Sequence, residues 1–174
     1  MAPLLTQDPD LWCVDETTVR LETTLRRVVA LKGTKPVVRV RRGTAGVHLV
    51  GALRKSGQFL LQLTRRPPDQ HLIKQFLRRI KRFKGKGRLY LVWDSTGEHV
   101  AHTVRQTARK LGIHLIPQPA HAPEVQPVEE IWHQLKAYLA NFLFATVEEI
   151  MEVCQRFFAE RRYHFALKMV HYFA

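Results

Sequence analysis

RLYLVWD, residues 88–94, is the stretch whose reading decides the fold. Five apolar residues run unbroken from Leu89 to Trp93 and end on an acid. A short apolar run bounded by turn residues reads as a strand buried on both faces, the kind that helices cover from either side. Upstream, Leu72, Ile73, Phe76, Leu77, Ile80 and Phe83 recur at helical spacing, so residues 70–83 read as a helix that Asp69 can cap. Gly85 and Gly87 end it. Downstream, residues 99–111 return to helical period, Gly112 closes that helix, and IHLIP (113–117) is a short strand.

Further out, residues 11–15 of LWCVDET read as a strand. VVALKG and VVRVR look like two more short strands, punctuated by Gly33, Pro36 and Gly43. GVHLVGALRKSGQFLLQL is a hairpin, with apolar runs 46–53 and 58–63 about a turn at Lys55-Ser56-Gly57. A proline-rich loop, 117–127, precedes a helix from about 128 to 141, and a last amphipathic helix starts near Thr146. The order predicts an α/β fold: a mixed sheet of about five strands flanked by helices on both faces.

The chain has 174 residues, 28 Lys+Arg against 15 Asp+Glu, and a formal net charge of +13. A single domain over 1–174 is expected, with 1–10 an N-terminal extension and 163–174 a tail. The charge excess points to a polyanion as partner. Cys13 and Cys154 are too few and too far apart for a disulfide framework or a zinc site, and both read as core thiols. MAPLLTQDPD is unlike a secretion signal, and no apolar stretch reaches the length of a membrane span. The expectation is a cytoplasmic, nucleoid-associated protein with no membrane role.

Three acids stand in three local contexts: Asp15 in an apolar strand, Asp94 at the end of another, and Glu129 at a helix start in HAPEVQPVEEIW. Thirty-four residues lie between Asp94 and Glu129. Singly, each has a plain reading as turn residue, helix cap or dipole partner. Together, carboxylates brought from distant segments in a basic chain suit a pair of Mg²⁺ or Mn²⁺ ions, about 3.5–4 Å apart, acting on phosphodiesters. Three such carboxylates without metal would repel, and at least one should have a raised pKa. His99 and His102 lack the further Cys or His of a zinc site, and KGKGR lacks the upstream glycine and following Ser/Thr of a phosphate loop. Trp12, Trp93 and Trp132 read as core residues.

The quoted segments resemble the DDE transposases of the mariner superfamily, specifically their bacterial insertion-sequence branch. Val14-Asp15-Glu16 matches a strand ending in Asp-Glu. WDSTGEH matches a second strand with Asp94 and a following His99. AHAPEVQPVEEIWHQLK matches the third signature through Pro123, Pro127, Glu129, Trp132, Leu135 and Lys136. GTKP (33–36) and GAL (51–53) fall where that family has similar pieces. The resemblance implies a ribonuclease-H-like domain that cleaves double-stranded DNA at transposon ends and transfers the 3′-hydroxyl into target DNA. It implies that Asp15, Asp94 and Glu129 are the catalytic metal ligands, that His99, Glu16 and Glu130 support the site, and that the enzyme acts as a homodimer on DNA.

Ser95, His121-Ala122 and Gln126 depart from the family's usual residues. The ten residues before the first strand are too few for the helix-turn-helix modules that family usually carries there, so end recognition is expected from a separate chain or module. Two alternatives stay open: a catalytically silent DNA-binding relic, and a general nuclease of the same fold. Basic residues offer a DNA path: Arg39, Arg41 and Arg42 between the first strand and the hairpin, where the family often has a DNA-contacting insertion, and Lys74, Arg78, Lys81 and Arg82 along the 70–83 helix.

Overall fold

The computed structural model describes residues 10–83, 88–94, 102–118, 126–159, 161 and 163. Among the described residues, five strands form one mixed sheet. They are β1 (Asp10–Arg20), β2 (Gly46–Arg54), β3 (Phe59–Thr64), β4 (Leu89–Trp93) and β5 (Ile113–Pro117), in the order β3-β2-β1-β4-β5. β1, β2 and β3 pair antiparallel, whereas β4 joins β1, and β5 joins β4, in parallel. The helices are α1 (Gln70–Arg82), α2 (His102–Leu111), α3 (Pro127–Tyr138) and α4 (Val147–Ala159).

Alternation along the central strand divides the core in two. Trp12 and Val14 face one way and pack with Ile73, Phe76, Leu77 and Ile80 of α1 and Val104 and Ala108 of α2. Leu11 and Cys13 face the other way and pack with Ile131, Trp132 and Leu135 of α3 and Ile150, Cys154 and Phe157 of α4. Helices therefore cover both faces, as the sequence predicts, and every residue of β4 is buried. Cys13 and Cys154 are both free and buried. Burial pushes both thiols up, Cys154 to about 12, which makes them inert at neutral pH.

Local signals behave as their chemistry requires. Asp69 Oδ1 accepts from the Leu72 N–H at 2.8 Å and caps α1. The hairpin turns at Gly57, whose φ of 88° suits a residue without Cβ. Gly112, φ 67°, follows α2 directly.

Two expectations for the front of the chain are corrected. The first strand does not stop at residue 15: it starts at Asp10 and runs to Arg20 as a partner of β2 along nine registered pairs. The acid at its start is buried, taking hydrogen bonds from Trp12 Nε1 and Arg54 Nε. VVALKG and VVRVR are not strands. Residues 23–45 carry no strand assignment, and Val29, Leu31 and Val37 project into solvent. β-branched runs favour extended backbone, but that propensity makes a strand only where a neighbouring strand pairs with it, and residues 23–45 form no ladder. Among the described residues, hydrogen bonds hold this arm at its base. Asn141 N–H donates to Thr24 O, Asn141 Oδ1 accepts from Arg26 N–H, and Thr23 Oγ1 accepts from Arg41 N–H.

Candidate functional site

Asp15 lies in mid-strand on the central β1, opposite Gly51 of β2. It points to the α3 face, the face shared by Cys13 two residues earlier. Its carboxylate is half-buried. Loss of solvent raises its pKa from the usual 3.8 to about 6, and the charges of Glu129 and Glu16 add to the rise. Hydrogen bonds from the Glu16 backbone N–H and the Trp132 side chain act in the opposite sense. The raised pKa expected of one carboxylate in the group therefore falls on Asp15.

Glu129 stands in the first turn of α3 beside Glu130, where the helix dipole favours negative charge. Pro127 starts the helix at a position whose N–H would have no helical partner. Two side chains of this segment hold it to β1, at Val14 and at Asp15 itself. Gln126, buried, donates from Nε2 to Val14 O at 3.0 Å. Trp132 donates from Nε1 to Asp15 Oδ2 at 3.0 Å. Trp132 is a core residue, as the sequence predicts, and its hydrogen bond to Asp15 adds a second role; the role of Gln126 is not apparent from its departure from the family's usual residue. The available signal was spacing: Glu129 and Trp132 are i, i+3 neighbours on one helix face.

Asp94 follows β4 immediately. Trp93 pairs with Val14 in the last step of the parallel ladder, so Asp94 and Asp15 are the residues that follow that pair on neighbouring strands. It is exposed, and it borders a cavity of about 450 Å³ that Arg105 and Arg109 of α2 also line. Asp15 and Glu129 lie near enough for their charges to interact, but among the described residues no three His, Cys, Asp or Glu side chains are grouped closely enough to hold a metal. Of the supporting residues, Glu16 is half-buried in β1 and Glu130 accepts from Gln134 at 3.1 Å. His99 and Ser95, with the loop of His121-Ala122 and Pro123, lie outside the described residues.

Residues 10–151 match the family described as DDE superfamily endonuclease. The chain belongs to the DDE superfamily endonucleases. No curated protein matches it. The DDE domain aligns with the pre-cleavage Mos1 transpososome at a TM-score of 0.74 and 17% identity, over 94% of this chain and 52% of that one. It aligns with the Mos1 mariner paired end complex with Mn at 0.74 and 19%, over 94% and 52%. The catalytic domain of Mos1 mariner transposase gives 0.66 and 18%, over 94% and 76%. At such identities the likeness is one of fold, ribonuclease-H-like, and the chain spans about half the length of the transposase chains in the first two complexes.

The basic residues expected along a DNA path sit in two places. Arg78 and Arg82 are exposed on α1, with Lys74 and Lys81 half-buried beside them. Arg39, Arg41 and Arg42 are exposed on the arm. Arg41 already has work in the fold, because one of its guanidinium nitrogens donates to Phe144 O and Ala145 O at 3.0 and 2.7 Å. Among the described residues no helix is long and apolar enough to cross a membrane.

Proposed function

We propose that this chain is the catalytic domain of a transposase of the mariner superfamily's bacterial insertion-sequence branch, cutting DNA at transposon ends and joining the 3′-hydroxyl to target DNA. Asp15, Asp94 and Glu129 are its metal ligands. One observation supports the reading: Asp15 is held at a pKa of about 6 by burial and by the charge of Glu129, and Asp94 follows the strand that pairs with β1 up to Val14. A half-buried carboxylate facing a second acid is a costly arrangement for a protein without a counter-charge, and a hard divalent cation relieves it.

The donor set suits Mg²⁺ or Mn²⁺, which take carboxylate oxygens and keep some water. Bound there, a pair of ions would supply an activated oxygen nucleophile and charge relief for the leaving oxygen. The chain's own contribution is placement. β1 carries Asp15, Asp94 follows β4 directly, and Glu129 stands in the first turn of α3, where the helix dipole favours negative charge. Glu16, Glu130 and His99 support the site. Arg39, Arg42 and the α1 residues Lys74, Arg78, Lys81 and Arg82 contact phosphates, with Arg41 at the arm's base.

The partners are transposon-end and target DNA, with end recognition supplied by a separate module or chain. The working unit is a homodimer. The exposed Leu25, Val29, Leu31 and Val37 of the arm support a protein-facing surface. The test is nicking of supercoiled plasmid in Mg²⁺ or Mn²⁺. Activity should vanish in Asp94→Ala, and nicking unchanged in that variant would reject the assignment. A second reading, a DNA-binding relic without cleavage, is favoured by the lack of a three-acid group among the described residues. DNA binding that survives Asp15→Ala, with no cleavage in any metal, would support it.

A further inference from the structure

Asp15 and Gly51 are directly opposed in the β1–β2 ladder, so the two positions share a face of the sheet. Gly51 has no room for a side chain there. A Cβ would stand 2.6 Å from Trp132 Cη2 and 2.7 Å from Trp132 Cζ2, and 2.6 Å from Phe59 Cζ. The space a side chain would fill is taken by the six-membered ring of the indole. Phe59 and Phe158 meet that ring edge-on, each with its centroid 6.0 Å away, and Trp132 is 3% exposed. The indole is therefore fixed below by backbone and at its sides by aromatic rings. Its Nε1–H reaches Asp15 Oδ2 at 3.0 Å.

We propose that Gly51 and Trp132 act together as positioning residues for Asp15: the bare glycine seats the indole, and the indole's N–H fixes the plane of the carboxylate that meets the cation. The inference rests on the metal reading above. An aspartate has two soft side-chain torsions, and one anchored oxygen removes most of that freedom before a cation arrives. The seat lies on β2 and the donor on α3, so both reach Asp15 from outside its own strand.

The test is Mn²⁺ binding to the full chain, read from the free-ion electron paramagnetic resonance signal. The variants are Trp132→Phe, Gly51→Ala and their double. Trp132→Phe keeps an aromatic body on the glycine but has no donor, and affinity should fall about tenfold, the usual scale for a partner of a metal ligand. Gly51→Ala should displace the indole and weaken binding likewise. If the glycine works through the indole, the double variant should bind within about twofold of Trp132→Phe rather than showing both losses.

A second readout needs neither metal nor a core substitution. In the metal-free protein the Trp132 indole N–H resonance should move when Asp15 becomes Asn, while those of Trp12 and Trp93 stay in place. Wild-type affinity in Trp132→Phe, or an indole resonance indifferent to Asp15→Asn, would overturn this proposal alone. Wild-type protein that binds no Mn²⁺, or binds it equally in Asp15→Asn, would overturn it together with the metal reading.

Discussion

Replacing Asp15 by asparagine should stabilise the metal-free protein at neutral pH while abolishing cleavage. The carboxyl's pKa in the folded chain is about 6 against 3.8 ordinarily. A carboxyl whose folded pKa is raised binds its proton more tightly in the folded than in the unfolded state, so folding is penalised once the group ionises. Below pH about 4 the penalty is absent. It grows as the pH rises to about 6 and is constant above. The shift corresponds to at most about 3 kcal/mol. Residual solvent contact and the weaker acceptor strength of an amide reduce the gain expected of asparagine to about 1–2 kcal/mol. Urea unfolding at pH 4 and pH 7.5, with and without chelator, measures it. The variant should match wild type at pH 4 and exceed it at pH 7.5. Mg²⁺ should narrow the gap by stabilising only the wild type. Equal stability at pH 7.5, or a gap unchanged between the two pH values, would refute the reasoning that burial and Glu129 charge this site unfavourably.

Other substitutions separate fold from function. Arg41→Ala should cost about 1–2 kcal/mol in chemical denaturation, because the Phe144 and Ala145 carbonyls lose their donor. Arg39→Ala and Arg42→Ala should leave stability unchanged but weaken DNA binding, each lowering the salt slope by about 1 in a fluorescence titration. Asp69→Ala removes the cap of α1 and should cost about 1 kcal/mol by the same unfolding assay. Asp94→Ala, at an exposed position, should abolish metal-dependent nicking with a melting temperature within a degree or two of wild type.

The elements that sequence made legible are those whose pattern is local. β4 and α1 could be read because burial on both faces gives an unbroken apolar run and burial on one face gives a 3.6-residue period. IHLIP and the hairpin carried their own turn signals. The arm misled because Val28-Val29 and Val37-Val38 have strand propensity, while pairing with a neighbouring strand is a property of the whole topology. The acids of the site were legible from their contexts and from a family resemblance, but their neighbours were not. That Gly51 opposes Asp15 depends on the register of β1 on β2, and that Trp132 lands on both depends on how α3 crosses the sheet. Neither is encoded in any one segment.

The central claim is that Asp15, Asp94 and Glu129 share divalent cations. Diffraction from crystals soaked in Mn²⁺, collected at an energy where manganese scatters anomalously, tests it most directly. The account predicts anomalous density bridging Asp15 and Glu129, with the Asp94 carboxylate turned in to complete the coordination. Crystals that show no such density at saturating Mn²⁺, with the three carboxylates left apart, would contradict it.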